Sequence, residues 1–401
     1  MNQTWKRKFI TIYAGQAFSL LGSAAAQFAV IWWLTVQSES ALTLTMATVV
    51  AFLPGLFIGP FAGVWIDRYN RRTVMIAADT LVALSSAALA AAFLLQEAPP
   101  VWFIYAVLFV RGVGNTFHTP AMQAAIPMFV PVEMLTKAGG WGNLIVSVST
   151  MLGPALGAVL MSAVPMAAVM LVDIAGAAFA VLCLLTVKIP DVPRREENLH
   201  FLEDLRQGIA SFRENRPLMA VVFPVVIASL LYLPMSALYP LLVYSHYHGR
   251  AEHNAVVEVL FSGGLFVSSL AMGIWGGCRK RFLMISAAIG VMGISMAVGG
   301  ALPPEAFWGF VFCAFVMGGA GTFFNVPLMA YIQESTKPEV MGKVMALLST
   351  VMMLASPAGL LVAGPLSEAI GVDRWFLVSG AVMGAVGLWC FFATRRYDGE
   401  K

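Results

Sequence analysis

The chain alternates long apolar stretches with short clusters of charge, and this pattern restricts it to one broad class of fold. Only 11% of its 401 residues are charged, whereas soluble domains carry about 25%, which is too few charges to cover a soluble surface of this size. A bilayer core about 30 Å thick is crossed by ~20 apolar residues in a helix. The stretches also lack the period-two alternation of a membrane β-strand. We therefore expect an all-α polytopic membrane protein.

The apolar stretches predict twelve transmembrane helices. Their approximate bounds are 9–36, 43–66, 74–95, 101–125, 138–163, 166–187, 218–245, 255–277, 282–300, 306–333, 340–368 and 373–393. The first stretch follows a basic N-terminus, as in a signal peptide, but it runs to Val36. That is well beyond the roughly 7–15 residues of a signal peptide's apolar segment, so we expect it to be the first transmembrane helix.

Short motifs recur at about half the chain length, which predicts two related halves. Residues 114–120, GNTFHTP, resemble residues 321–327, GTFFNVP, and residues 63–66, GVWI, resemble residues 273–276, GIWG. Each match falls in the equivalent helix of its half. Two six-helix halves related by a parallel repeat form one large class of transporters, whose substrate site lies at the interface of the halves near the membrane midplane. We therefore expect two pseudo-symmetric six-helix bundles.

A charged segment separates the two predicted bundles. The expected organisation is an N-terminal six-helix bundle at 1–187, a cytoplasmic linker at 188–217 and a C-terminal six-helix bundle at 218–401. The linker opens with prolines and a run of charge, and apolar residues then recur at helical spacing. Its second part is predicted to be an amphipathic helix on the membrane surface. A flexible loop throughout is the alternative.

Lysine and arginine lie mostly on one set of loops, which predicts the orientation of the chain. Of the 24 basic residues, 21 fall at the two termini, in the linker and on alternate loops, and only Arg250 and Arg374 lie on the opposite loops. The positive-inside rule then places both termini in the cytoplasm. The net charge of +3 reflects this topology, and we expect no nucleic-acid partner.

Motifs of enzymes and of ATP-driven pumps are absent from the sequence. There is no H-E-x-x-H, no G-x-S-x-G and no P-loop. The four cysteines are scattered without a C-x-x-C pair, which argues against a metal site or a disulfide framework. We expect a protein that is not an enzyme, uses no cofactor and no metal, and is a monomer in the lipid bilayer.

Residues 63–72, GVWIDRYNRR, concentrate charge in a short loop between the second and third predicted helices. Orientation accounts for its arginines but not for Gly63 or Asp67, since acidic residues contribute little to topology. A glycine one turn before an acid lets another helix approach closely, and Asp67 then needs a positive partner. The N-terminus of the eleventh helix, near 339–342, or Arg111 could supply it. The predicted conformational latch comprises Gly63, Asp67, Arg68, Arg71 and Arg72.

This loop resembles the signature of the major facilitator superfamily, G-x-x-x-D-R-x-x-R-R. Residues 111–114, RGVG, resemble the second motif of that superfamily, and residues 153–157, GPALG, resemble the G-P-x-x-G motif of its antiporter branch. A closer resemblance, to bacterial macrolide-efflux-type drug exporters, lies in four segments. They read WKRKF, FLPGLFIGPFAGVWIDRYNRR, FHTPAMQAAIP and SPAGLLVAGPLSEAIGVDRWFLVSG.

The resemblance implies the major facilitator fold in a bacterial inner membrane. It also implies proton-driven export of small amphipathic compounds, of macrolide or multidrug type, by alternating access. Relatives that export siderophores or move lysophospholipids leave a second substrate class open. The second half departs from the pattern, because its version of the loop, residues 273–281, has no acid. Only the first-half latch therefore follows from the resemblance.

Ionisable side chains inside the predicted helices are candidates for proton coupling, because burying charge in a bilayer is costly. Arg111 is always charged and would hold a neighbouring acid in its ionised form. The candidate acids are Asp79, the first choice, followed by Asp173 and Glu258. The alternatives are an ion pair that only fixes packing and acids that lie at the membrane interface. His118 is expected to be a hydrogen-bonded packing residue.

Proline and glycine mark two helices in equivalent positions of the two halves. Gly153, Pro154 and Gly157 lie in the fifth predicted helix, and Pro357 and Gly359 lie in the eleventh. Proline removes a backbone donor and bends a helix, while glycine permits close helix contact. A structural kink and a transport hinge would both use these residue types. Because the residues occur in equivalent helices of the two halves, we favour hinges.

Polar or amphipathic side chains in mid-helix are predicted to contact substrate in a mostly apolar cavity. The candidates are Gln16, Gln27, Trp32, Asn143, Tyr232 and Asn325.

Overall fold

The described part of the protein is built from helices. A computed structural model describes residues 4–96, 98–189, 215–278, 280–336 and 338–399. We number the long helices in chain order. They are α1 (Thr4–Ser38), α2 (Ala41–Arg68), α3 (Arg71–Leu95), α4 (Val101–Ala125), α5 (Leu135–Ala163), α6 (Met166–Thr186), α7 (Arg216–Leu241), α8 (Ala251–Trp275), α9 (Arg281–Ala301), α10 (Phe307–Ser335), α11 (Pro338–Ile370) and α12 (Val372–Thr394).

Eleven of these helices are long and apolar enough to cross a bilayer. The remaining long helix is α4, whose Arg111, Asn115 and His118 lower its mean hydropathy. Large apolar side chains such as Phe57, at 67% exposure, remain on the surface, as expected where the surroundings are lipid. The predicted all-α membrane fold with twelve long helices is confirmed.

The described residues pack into two compact units. One unit contains residues 4–37 and 47–189, and the other contains residues 38–46 and 215–399. Most of the predicted linker lies outside the described residues, so the expected amphipathic helix stays a prediction.

Helix packing follows the same scheme inside each unit. In the first unit α3 packs against α4 and α6, and in the second unit α9 packs against α10 and α12. Each partner in the second unit lies six helices after its equivalent in the first, as expected for related halves. Close approach depends on small residues: a Cβ at Gly22 of α1 would lie 3.1 Å from the Val172 carbonyl oxygen of α6. In α9, a Cβ at Gly293 would overlap the backbone of Gly384 in α12.

The glycines predicted as hinges lie at such contacts. A Cβ at Gly157 of α5 would lie 2.7 Å from the Ala25 carbonyl oxygen of α1. A Cβ at Gly359 of α11 would overlap the carbonyl group of Leu230 in α7. Both helices continue through their prolines without a break in assignment. The two glycines therefore support equivalent contacts, α5 with α1 and α11 with α7, and their role as hinges stays a prediction.

Candidate functional site

The most completely bonded polar cluster in the first unit surrounds Asp173 of α6. This carboxylate has no exposed surface, and Arg111 of α4, 8% exposed, places Nη1 2.5 Å from its Oδ2. Ser86 Oγ of α3 donates to Oδ2 and Ser23 Oγ of α1 donates to Oδ1, each at 2.6 Å. Arg111 Nη1 also donates to Ser86 Oγ. Four helices therefore meet at one ion pair, which we call the Asp173 cluster (Ser23, Ser86, Arg111 and Asp173).

The Asp173 cluster satisfies the physical conditions for a charge pair inside a membrane protein. Removing two charges from water is costly, and the cost is met only when their geometry is good and further hydrogen bonds satisfy the remaining lone pairs. Both carboxylate oxygens of Asp173 have partners. The prediction from sequence allowed Arg111 to pair with Asp67 or with a nearby acid, and the structure places it on Asp173.

A second polar cluster surrounds Asp79 of α3, which is 5% exposed. Gln16 Nε2 of α1 donates to Asp79 Oδ2 at 3.1 Å, and His118 Nε2 of α4 lies 3.4 Å from Asp79 Oδ1. Within the described part of the chain, Gln16 Oε1 and His118 Nε2 are buried without a hydrogen-bond partner. The Asp79 cluster (Gln16, Asp79 and His118) therefore holds its carboxylate with fewer and longer contacts than the Asp173 cluster does.

The two clusters form successive layers of the same helices. Gln16 and Ser23, Asp79 and Ser86, and Arg111 and His118 are each separated by seven residues on their helix. Seven residues are close to two helical turns, a rise of about 10 Å. The helices α1, α3 and α4 therefore each contribute a side chain to both layers, with Arg111 in one layer and His118 in the other. Asp79 of α3 is the carboxylate of one layer, and α6 adds Asp173 to the other.

A cavity of about 530 Å³ opens beside the Asp173 cluster within the first unit. Arg111 and Ser23 belong to both the cluster and the cavity wall. The wall also contains apolar groups such as Phe52 and Leu108, and this mixture is typical of a small-molecule site, mostly apolar with few polar anchors. Further polar side chains in the wall are Gln27, Asn115, Thr116, Ser149 and Thr150.

The side chains predicted to contact substrate are dispersed in the structure. Gln27 lines the cavity, whereas Gln16 is buried against Asp79. Trp32 of α1 is buried and Asn143 of α5 is exposed. In the second unit, Tyr232 of α7 is partly buried and Asn325 of α10 is exposed.

Glu258 of α8 is the candidate acid in the second unit. It is partly buried, and its Oε1 accepts a hydrogen bond from Asn254 Nδ2 one turn earlier at 2.8 Å. Asn254 is fully buried, and its Oδ1 has no hydrogen-bond partner among the described residues. No basic side chain of the described chain makes an ion pair with Glu258. Glu258 therefore belongs to the second unit, and its hydrogen-bond partner lies on its own helix.

The start of α3, just after the short turn that follows α2, has a structural role that the sequence did not reveal. Arg72 Nε donates to the Leu184 carbonyl at 2.7 Å, and its Nη2 donates to the Leu185 carbonyl at 2.6 Å. These carbonyls belong to the last turn of α6, where a cation is favoured by the helix dipole. Asn70 Oδ1 caps the start of α3 by accepting from the Arg72 backbone N–H.

The structure says less about the other predicted latch residues. Arg68 is exposed and Arg71 is buried. The surroundings of Gly63 and the side chain of Asp67 lie outside what the structure describes, as do the side chains at 338–340 of α11. The contact between Asp67 and α11 therefore stays a prediction.

Comparison with known proteins identifies relatives along the whole chain. A model of the Major Facilitator Superfamily matches residues 12–360 and 230–401. The chain is 37% identical over 388 residues to Macrolide efflux protein A of Streptococcus pyogenes, and the alignment covers 96% of both chains. It is 36% identical over 323 residues to Macrolide efflux protein A of Enterococcus faecalis, which covers 80% of this chain and 99% of the relative.

The fold also resembles solved transporter structures. A bacterial homologue of the human lysosomal transporter Spinster superimposes with a TM-score of 0.72 at 13% sequence identity, covering 99% of this chain and 97% of the other. At this identity the likeness concerns the fold alone.

Proposed function

Because this chain belongs to the Major Facilitator Superfamily and is a multi-pass membrane transporter of small substrates, we propose that it exports amphipathic compounds of macrolide or multidrug type by proton antiport and alternating access. The observation that carries the proposal is the Asp173 cluster, a buried ion pair whose arginine lines a cavity. The identity with macrolide efflux proteins supports the substrate class.

In this proposal the cavity beside Arg111 is part of the substrate path. Its volume of about 530 Å³ falls within the range of small-molecule sites, roughly 300–1,000 Å³. Apolar walls suit the apolar part of an amphipathic compound, and Gln27 and Asn115 offer polar anchors. Arg111 is always charged, so its pairing with Asp173 keeps a fixed charge pair beside the bound compound.

The Asp79 cluster is the proposed site of the proton. A proton held between Asp79 Oδ1 and His118 Nε2, 3.4 Å apart, leaves the cluster without net charge, whether it lies on the acid or on the imidazole. Loss of that proton leaves a buried anion that accepts a hydrogen bond from the Gln16 amide and lies beside a neutral imidazole. Because a lone charge inside the membrane is costly, we propose that the proton leaves only when substrate binding changes the conformation of the transporter.

The proposed orientation follows from the distribution of basic residues. Both termini and the loop with Arg68 and Arg72 face the cytoplasm of a bacterial inner membrane, as the positive-inside rule favours. The proposed transport unit is a monomer whose two six-helix bundles alternate in their exposure of substrate.

We expect a protonophore to abolish the efflux activity of this protein. Bacteria lacking their own exporters, with and without the expressed chain, would be loaded with a radiolabelled macrolide, and its retention followed over time. Expressing cells should retain less of the macrolide, and the difference should disappear when the protonophore collapses the proton gradient.

Two outcomes of this experiment contradict parts of the proposal. Macrolide efflux that continues at full rate in the protonophore contradicts proton antiport. Equal retention of macrolides, dyes and detergents in expressing and control cells contradicts the drug substrate class and favours the export of a siderophore or lysophospholipid. Cells that carry the empty vector provide the baseline for both comparisons.

We expect Asp67→Asn to lower the initial efflux rate while leaving membrane insertion intact, because the amide cannot form the proposed charged latch. Coupling contacts of this kind are worth about 1–3 kcal/mol, so the population of the latched state should fall about five-fold or more. Asp373→Asn, an acid in the first turn of α12, is the matched control. Wild-type efflux by Asp67→Asn would remove the latch from the mechanism.

A further inference from the structure

A second cleft in the first unit lies away from the two carboxylate clusters, between the first turns of α1 and the start of α5. Its volume is about 480 Å³, which is also within the range of small-molecule sites. The floor is aromatic: the ring centroids of Phe9 and Tyr13 are 4.2 Å apart, and both side chains are buried. Ile10 and Ala14 of α1 and Ile145 of α5 add apolar surface to the lining of the cleft. We call this the α1–α5 cleft.

Two lysines line the α1–α5 cleft. Lys6 of α1 and Lys137 of α5 are both exposed. Among the described residues, neither has a carboxylate within ion-pair distance, although Glu133 lies one turn before Lys137 in the sequence. Lys6 Nζ lies 5.9 Å from the ring centre of Trp5. The cleft therefore combines an apolar, aromatic floor with two positive charges that form no ion pair with the described carboxylates.

The position of the cleft along its helices indicates its depth in the membrane. The membrane spans that include α1 and α5 begin at Trp5 and Val132, so the lysines lie near the ends of both spans. Trp5 and Trp141, the latter 52% exposed, are of the residue type that is enriched at the level of lipid headgroups. A ligand here would have its polar group at the interface and its apolar part in the bilayer.

We propose that the α1–α5 cleft binds one anionic glycerophospholipid. Its phosphate lies between Lys6 and Lys137, and one acyl chain follows the apolar wall past Ile10, Ala14 and Ile145. Basic pockets between helices on the cytoplasmic side are suited to anionic headgroups, and the cleft lies on that side in the orientation proposed above. A cationic amphiphile would be repelled by the two ammonium groups. Binding of this lipid does not depend on the export activity.

The test measures lipid retention by the purified full-length protein. Native mass spectrometry from detergent would compare added phosphatidylglycerol with phosphatidylcholine of the same chains. We expect one phosphatidylglycerol to bind in preference to phosphatidylcholine. Lys6→Gln/Lys137→Gln should weaken this binding by about five-fold per lysine, since each basic residue near an anionic lipid contributes roughly that factor. Inorganic phosphate should not compete, because it lacks the acyl chain.

Two further variants distinguish specific binding of the lipid in the cleft from non-specific attraction between anionic lipid and basic residues. Arg7→Gln/Lys188→Gln removes two exposed charges of the same unit that do not line the cleft, and should bind like the wild type. Ala14→Trp fills the cleft while leaving both lysines, and should lose the preference for phosphatidylglycerol. Equal losses in the two double variants, or undiminished binding by Ala14→Trp, would overturn the proposal. Either result can be read whether or not the protein exports drugs.

Discussion

Replacing Asp173 with asparagine is expected to abolish macrolide efflux and to destabilise the first bundle. The substitution leaves Arg111 buried without its carboxylate, and breaking a buried pair in this way costs about 3–5 kcal/mol. This is a large share of the stability of a typical domain, about 5–15 kcal/mol. Thermal unfolding of the purified protein and efflux from cells measure the two effects separately. Glu334→Gln is the matched control, because Glu334 forms an exposed pair with Arg281, and such pairs contribute about 1 kcal/mol or less.

The double variant Arg111→Gln/Asp173→Asn distinguishes a structural pair from one that acts in transport. With both charges removed, no unpaired charge is buried, so the unfolding temperature should return towards that of the wild type. Efflux should remain absent, because the cavity would then lack the fixed charge of Arg111. Restored efflux in the double variant would show that the pair only fixes packing. A single variant as stable as Glu334→Gln would contradict the buried geometry.

Hydropathy and charge were sufficient to predict the helices, because a lipid environment imposes a length and composition on every span. The same reasoning identified Arg111, Asp79 and Asp173, since an ionisable residue inside a span is rare and needs a partner. The partners themselves could not be assigned. Arg111 had several candidate acids in the sequence, and only the packing of α3 against both α4 and α6 in three dimensions selects Asp173.

Other parts of the site carried no recognisable signal in the sequence. Ser23 and Ser86 complete the Asp173 cluster, yet serine in a membrane helix commonly bonds to its own backbone, as Ser229 does to the Val225 carbonyl. Gln16 was predicted to contact substrate, and the sequence did not indicate that its amide donates to Asp79. The seven-residue spacing that relates the two clusters was present in the sequence. It becomes meaningful only when the structure shows that side chains of α1, α3 and α4 meet in both clusters.

Replacing Asp79 with asparagine is expected to uncouple substrate binding from proton release. Asp173 accepts hydrogen bonds from Arg111, Ser23 and Ser86, whereas Asp79 has one amide donor and His118 at 3.4 Å. Asp79 is therefore the acid whose charge is least compensated in the layers of the first unit. In weakly buffered solution, binding of a macrolide to the purified wild-type protein should release protons, detected with a pH-sensitive dye.

The Asp79→Asn variant should bind the macrolide but release no protons, because the amide mimics the protonated acid and cannot lose its proton. Cells expressing it should not lower their macrolide content against a gradient, and their efflux should be at least about ten-fold slower, the effect of roughly 1.4 kcal/mol. Glu258→Gln is the comparison, since Glu258 has an Asn254 partner and no ion pair among the described residues. Proton release that persists in Asp79→Asn and disappears in Glu258→Gln would contradict the assignment of the proton site to Asp79. The proton site, and therefore the response to the proton gradient, would then belong to the second bundle.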